Sequence, residues 1–152
     1  MKWTSFSTRK YQDITLPQLL FKDADYFFWA EDAGVFRSGL AEEVREIYSR
    51  ATSIRIPARF PEHIAQYVIH RPTDTFQDLR LIHKSDHQTQ HAWYSDVIDF
   101  SVPHQMKRRD KLGNRNLVKN LKFYLFEDES IRLSKQRCES FFSDDSNFVL
   151  DH

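Results

Sequence analysis

Asp23-Ala-Asp-Tyr-Phe-Phe-Trp-Ala-Glu-Asp-Ala-Gly-Val-Phe36 is the stretch on which the fold turns. Four consecutive aromatics, Tyr26 to Trp29, lie inside a short helical pattern. Asp23 has the compact acceptor side chain of an N-cap, and Gly34 stands where a left-handed residue would end a helix. The spacing predicts a helix of about three turns between them. Successive helical side chains are ~100° apart, so four aromatics in a row point in four directions. Such a helix has no wet face, so the rest of the chain should wrap it and Trp29 should be largely buried.

Outward from that stretch, a second helix is expected over 39–51. Leu40, Val44, Ile47, Tyr48 and Ala51 make a one-sided apolar stripe. Glu42 and Glu43 suit its first turn and Arg50 its last, and Glu46 and Arg50 form an i, i+4 pair. Residues 1–22 read as an irregular or short-strand start, with Pro17 placed as a first helical residue. Ile64–His70 and Phe76–His83 flank the turn-like Arg71–Asp74 and predict a β-hairpin. Trp93–Val102 reads as a third strand ended by Pro103. From Asn114 the helical period returns, with Leu117, Leu121, Tyr124 and Leu125 on one face. A last helix starts at the N-cap Ser134 and turns Cys138, Phe141 and Phe142 inward. The expected fold class is α+β: one globular domain over residues 1–152, with a small antiparallel sheet of about three strands packed with four helices.

At 152 residues a single domain is expected. Its 22 basic and 22 acidic side chains cancel, while aromatics reach 14%. That composition argues against disorder, and the zero sum removes any global attraction to nucleic acid or membrane. Cys138 is the only cysteine, so no disulfide can form within the chain, which suits a reducing compartment. No apolar run reaches the ~18 residues of a transmembrane helix, and the N-terminus lacks a signal-like segment. A cytoplasmic protein with no membrane partner is expected. The three glycines, Gly34, Gly39 and Gly113, stand far apart. Phosphate-cradling loops need several close together, so a P-loop and a dinucleotide fingerprint are both excluded. No cofactor is expected.

The segment Asp23-Ala-Asp-Tyr-Phe-Phe-Trp29 resembles the small modules at the C-terminus of exodeoxyribonuclease X-like proteins and the related family of quorum-sensing-regulated virulence factors. Asp23, Tyr26 and Trp29 match that family's Asp-Pro-x-Tyr-x-x-Trp helix in spacing. Phe6 and Lys10 match parts of its opening motif, and a second register starts at Trp3. Ala24 replaces the motif proline, and the motif's glycines and first lysine are absent. The resemblance covers residues 3–36. It implies an accessory module in DNA metabolism or in phage and mobile-element biology. It implies no catalysis, because the family's nuclease activity resides in a separate domain.

Candidate chemistry is sparse. His83, His87 and His91 are spaced by four, as zinc ligands on one helical face would be. They fall in a polar stretch after a strand, so a solvated loop competes with a metal site. Asp96, Asp99 and Asp110 with His104 are the acids a magnesium-dependent hydrolase would use, but Asp96 and Asp99 should point to opposite strand faces. No Gly-x-Ser-x-Gly elbow is present, and Cys138 reads as a buried structural thiol. No catalytic residue is assigned.

Charge carries the remaining signal. Between Met106 and Lys122 the cations are Lys107, Arg108, Arg109, Lys111, Arg115, Lys119 and Lys122, against the single acid Asp110. On a helix over 114–126, Arg115, Lys119 and Lys122 share one face while the leucines take another. The expected function is a small binding or accessory protein that holds DNA or RNA without base specificity through this face. The alternatives are a metal-dependent hydrolase using the His and Asp residues of 83–110, and a protein-interaction module or homodimer using exposed aromatics.

Overall fold

The computed structural model describes residues 2–86 and 91–150. It is an α+β fold with five helices and a three-stranded antiparallel sheet. The order is α1 (Leu16–Asp32), α2 (Ala41–Ala51), β1 (His63–His70), β2 (Thr75–His83), β3 (Ala92–Ser95), α3 (Val102–Met106), α4 (Lys111–Phe126) and α5 (Lys135–Ser143). Short 3₁₀ turns precede α2 and follow α5. The expected four helices become five because Val102–Met106, too short to show a period, is helical.

Helix α1 is the hub and packs on α2, α3, α4 and α5. It begins earlier than the aromatic stretch, with Pro17 in its first turn. At Asp23 the backbone leaves helical geometry (φ −159°, ψ 72°), so α1 is two segments joined by a kink. Asp23 caps the second segment, its Oδ1 accepting the Tyr26 N–H at 3.1 Å. Gly34 (φ 67°) ends that segment as expected. Its N–H donates to Glu31 O and the Val35 N–H to Ala30 O, which satisfies carbonyls the last turn leaves over.

The wrapping of α1 is incomplete. Phe27 and Phe28 are buried, but Trp29 is 36% exposed, against expectation. It leans on Tyr26, with ring centroids 5.6 Å apart, and its outer side stays open to solvent. Val44, Ile47 and Ala51 of the α2 stripe are buried, whereas Tyr48 is exposed and only its edge meets Phe28. Arg50 is buried instead. It bonds Glu46, the Phe142 carbonyl and Asp145, tying α2 to the chain's C-terminal end.

The sheet order is β2-β1-β3. The hairpin register pairs Ala65 with Leu81 and Tyr67 with Leu79, which sets four buried side chains together. Helix α4 lies along β2, and Asn120 Oδ1 and the Tyr124 hydroxyl accept the Leu79 and Leu81 N–H groups. The third strand is shorter than expected. It ends at Ser95, and Ile98 pairs with Ile54 rather than with β1. Asp99 then accepts the Ser101 N–H at 2.8 Å and the chain turns into α3. Pro103 therefore opens a helix rather than closing a strand. Around Phe21, an aromatic cluster of Phe100, Phe126, Phe141 and Phe142 joins α1 to α4 and α5. Among the described residues, no helix is long and apolar enough to cross a membrane.

Candidate nucleic-acid interface

The basic segment starts from a helix whose first turn is held in two ways. The Asp110 side chain accepts the Gly113 N–H at 2.8 Å, an N-cap that starts α4 three residues before the predicted range. Behind it, buried Asp25 of α1 accepts the Arg109 N–H at 2.8 Å and faces His104 Nδ1 at 3.1 Å. His104 Nε2 lies 3.2 Å from Asp32. Each ring nitrogen thus faces one carboxylate. These contacts pin the α3–α4 turn to α1, with Arg109 in the left-handed region (φ 63°).

From that start, residues 111, 115, 119 and 122 are spaced by four, four and three, which is one helical stripe. Lys111, Arg115, Lys119 and Lys122 line one wall of a cleft of about 530 Å³ between α1 and α4. Leu117 and Leu121 take the opposite face and are fully buried. Arg109 borders a smaller adjoining hollow of about 260 Å³, together with Lys111, Tyr26 and Trp29. Lys107 and Arg108 are exposed on the turn before α4, outside both hollows.

The other wall was not foreseen from charge. Lys10, Tyr11, Lys22 and Asp23 supply it. Asp23 Oδ2 receives Lys10 Nζ at 2.9 Å and the Tyr11 hydroxyl at 2.6 Å. Lys10 Nζ also lies 5.7 Å from the Tyr26 ring centre, and Lys22 Nζ 5.3 Å from that of Tyr11. Burial pushes the Asp23 carboxyl up, but Lys10, the Tyr11 hydroxyl and the Tyr26 N–H outweigh it, and the net shift is downward. Burial and the bond to Asp23 push the Tyr11 phenol up to about 12. Hydrogen bonding to Asp23 raises Lys10. Six cations thus face the cleft, against the carboxylates of Asp23 and Glu129, a surplus of four positive charges. Of these, Lys119 pairs with Glu129 at 3.2 Å in an exposed contact that is worth little. Lys10 was visible in sequence only through the family-like motif. Nothing in the spacing of Lys22 placed it opposite α4.

The other candidates disperse. His83 pairs with His63 at one end of β1, while His91 bonds Ile69 near the other. Six strand residues separate those positions, roughly 20 Å, so His83 and His91 cannot hold one ion. His87 lies outside the described residues. Among the described residues, no group of three or more His, Cys, Asp or Glu side chains could hold a metal ion. Asp99 is engaged by Ser101, and burial raises its carboxyl. Asp110 is the α4 cap, and His104 joins Asp25 and Asp32 rather than the acids expected beside it. Cys138 is buried, and burial pushes its thiol up to about 11, away from nucleophilic use.

No family model, curated protein or solved structure matches the chain. Within residues 3–36, Lys10 bonds Asp23 and lies over Tyr26, and Tyr26 touches Trp29.

Proposed function

We propose that this protein is a small accessory protein that binds nucleic acid through the α1–α4 cleft, without reading base sequence. The observation that carries the proposal is the surplus of four positive charges on one cleft of a chain whose total charge is zero. Phosphates spaced along a backbone suit a row of cations displayed over the length of a helix. Lys111 to Lys122 spans roughly 17 Å of helix axis. Arg and Lys held on a packed helix release counterions when phosphates replace them, and this supplies sequence-independent affinity. The resemblance of residues 3–36 supports the same reading and adds a setting, DNA metabolism or mobile-element biology.

The test is fluorescence anisotropy with labelled oligonucleotides at about 50 and about 200 mM salt. Wild-type binding should weaken steeply with salt. Arg115→Glu with Lys122→Glu should lower affinity and reduce the log–log salt slope by about two, one for each phosphate that is no longer neutralised. Both side chains project from α4 away from Leu117 and Leu121, so the fold should persist. Absence of wild-type binding at the lower salt would refute the proposal.

A further inference from the structure

The charged cleft does not end at α4. On the far side of Lys10 lies a groove of about 930 Å³ between the N-terminal segment and the end of α1. Phe6, Tyr26, Trp29 and Phe36 line this groove, with Arg9 and Arg37 beside them. Among the described residues, no carboxylate lines it. Trp29 and Val35 are 36% and 43% exposed there, an apolar surface left in water beside cations. Lys10 borders the groove, the hollow that holds Arg109, and the α1–α4 cleft, so the three adjoin at one side chain; the hollow also carries the Asp23 and Asp25 carboxylates, which Lys10 and the Arg109 N–H engage.

Phosphate binding needs only the cations. It does not need an exposed indole. A flat aromatic surface beside a line of cations has the chemistry of a base platform, because every nucleobase has a π-face that can stack on it. In a duplex the bases stack on one another and present only their edges. A duplex can therefore use the α4 wall but cannot reach Trp29 with a base face. A single strand can use both.

We infer that the preferred ligand is single-stranded nucleic acid, with an unpaired base stacked on Trp29 and the adjoining phosphates running past Lys10 to Arg109, Lys111 and Arg115. This rests on the nucleic-acid reading above and adds strand selectivity to it. Tyr26, held under Lys10 and against Trp29, fixes the platform's tilt: its ring makes 47° with the indole. Arg37 also lines the groove and offers a further cation to the strand.

The test compares a labelled thymidine oligonucleotide of about 15 residues with a duplex of the same length, by anisotropy. The proteins are wild type, Trp29→Ala, Trp29→Phe and Arg37→Glu, each checked for an unchanged circular dichroism spectrum. Wild type should prefer the single strand. Trp29→Ala should weaken single-strand binding roughly ten- to a hundredfold while leaving duplex binding within about twofold. Trp29→Phe should recover most of the loss. Should Trp29→Ala fail to fold, Arg37→Glu carries the same comparison, with a larger loss for the single strand than for the duplex. Equal wild-type affinity for both ligands, unmoved by Trp29→Ala, would overturn strand selectivity and leave the cleft proposal standing. Binding to neither ligand would remove both. A dimer in light scattering that Trp29→Ala dissociates, with no loss of oligonucleotide affinity, would assign the groove to a second copy and overturn the inference.

Discussion

Asp23 is the residue whose removal tests the architecture most directly. It caps the second segment of α1, pairs with Lys10 and accepts the Tyr11 hydroxyl. Losing an N-cap costs ~1 kcal/mol. A hydrogen bond to a charged group contributes ~1.5–3 kcal/mol. The Lys10 pair adds less than ~1 kcal/mol, because that side chain is 41% exposed and screened by solvent. Asp23→Ala should therefore destabilise the fold by ~3–4 kcal/mol, or roughly 6–15 °C in Tm for a chain of this size. Asp23→Asn keeps an acceptor for the Tyr26 N–H and should cost about half as much. The pH dependence separates charge from shape. The native carboxyl lies below its ordinary 3.8, so its charged form stabilises the fold fully above that value. The contribution is lost as pH falls through the lower native value. Urea titration at neutral and acid pH should show the gap between wild type and Asp23→Asn constant near neutrality and narrowing below 3.8. An Asn variant as stable as wild type at neutral pH, or a gap undiminished in acid, would refute the reasoning.

Gly113 is needed for close approach. A Cβ there would lie 2.3 Å from the Asp110 carboxylate that caps α4, whereas at Gly39 nothing lies within 4 Å. Gly113→Ala should lower stability by ~0.5–1 kcal/mol, as the broken cap outweighs the gain in helix propensity, and Gly39→Ala should be neutral or stabilising. In an Asp110→Ala background Gly113→Ala should become stabilising, a sign reversal that a thermal-melt double-mutant cycle detects. Cys138 is buried with its thiol raised to about 11, so a thiol reagent at mildly alkaline pH should label native protein only at the rate of unfolding. Fast labelling of the native state would show the α5 packing to be wrong.

Much of the fold was legible because its signals are local. The α2 stripe and the α5 cap are written within about ten residues, and the structure places the cap as read and the stripe apart from Tyr48. The hairpin survives because two apolar runs flank one short turn. What failed depended on distant partners. Alternation through Ile98 and Phe100 resembles a strand, yet Ile98 pairs with Ile54, so β3 stops at Ser95. Trp29 had to be buried only if something covered the end of α1, and no spacing rule says whether anything does. Tyr48 has a polar end that lets it sit at the rim over Phe28. The cleft was half legible. Its α4 wall is a helical stripe, while Lys22 and Lys111 meet only because α1 and α4 cross. The Asp25–His104 contact spans 79 residues and left no mark in either local pattern.

Zero net charge is compatible with the proposed polyanion ligand because a surplus of cations gathers on one cleft. Glu31 and Asp32 end α1, and Glu42, Glu43 and Glu46 follow on α2. Burial and the neighbouring Asp32 raise the Glu31 carboxyl, so two acids crowd that end. The cations cluster instead along Lys10, Lys22 and α4. The attraction of those cations for a polyanion is local, since the total charge supplies no pull. Such an interaction falls off within about 8 Å at physiological salt. Long-range steering is then weak, and affinity must come from contacts inside the cleft. That places the energetic weight on the Lys10 side chain, held by Asp23, and on cations whose backbone is held, Arg109 by Asp25 and the α4 stripe by its Asp110 cap. Backbone fixed before binding need not be ordered on binding, which on the proposed reading lowers the cost of holding a charged strand.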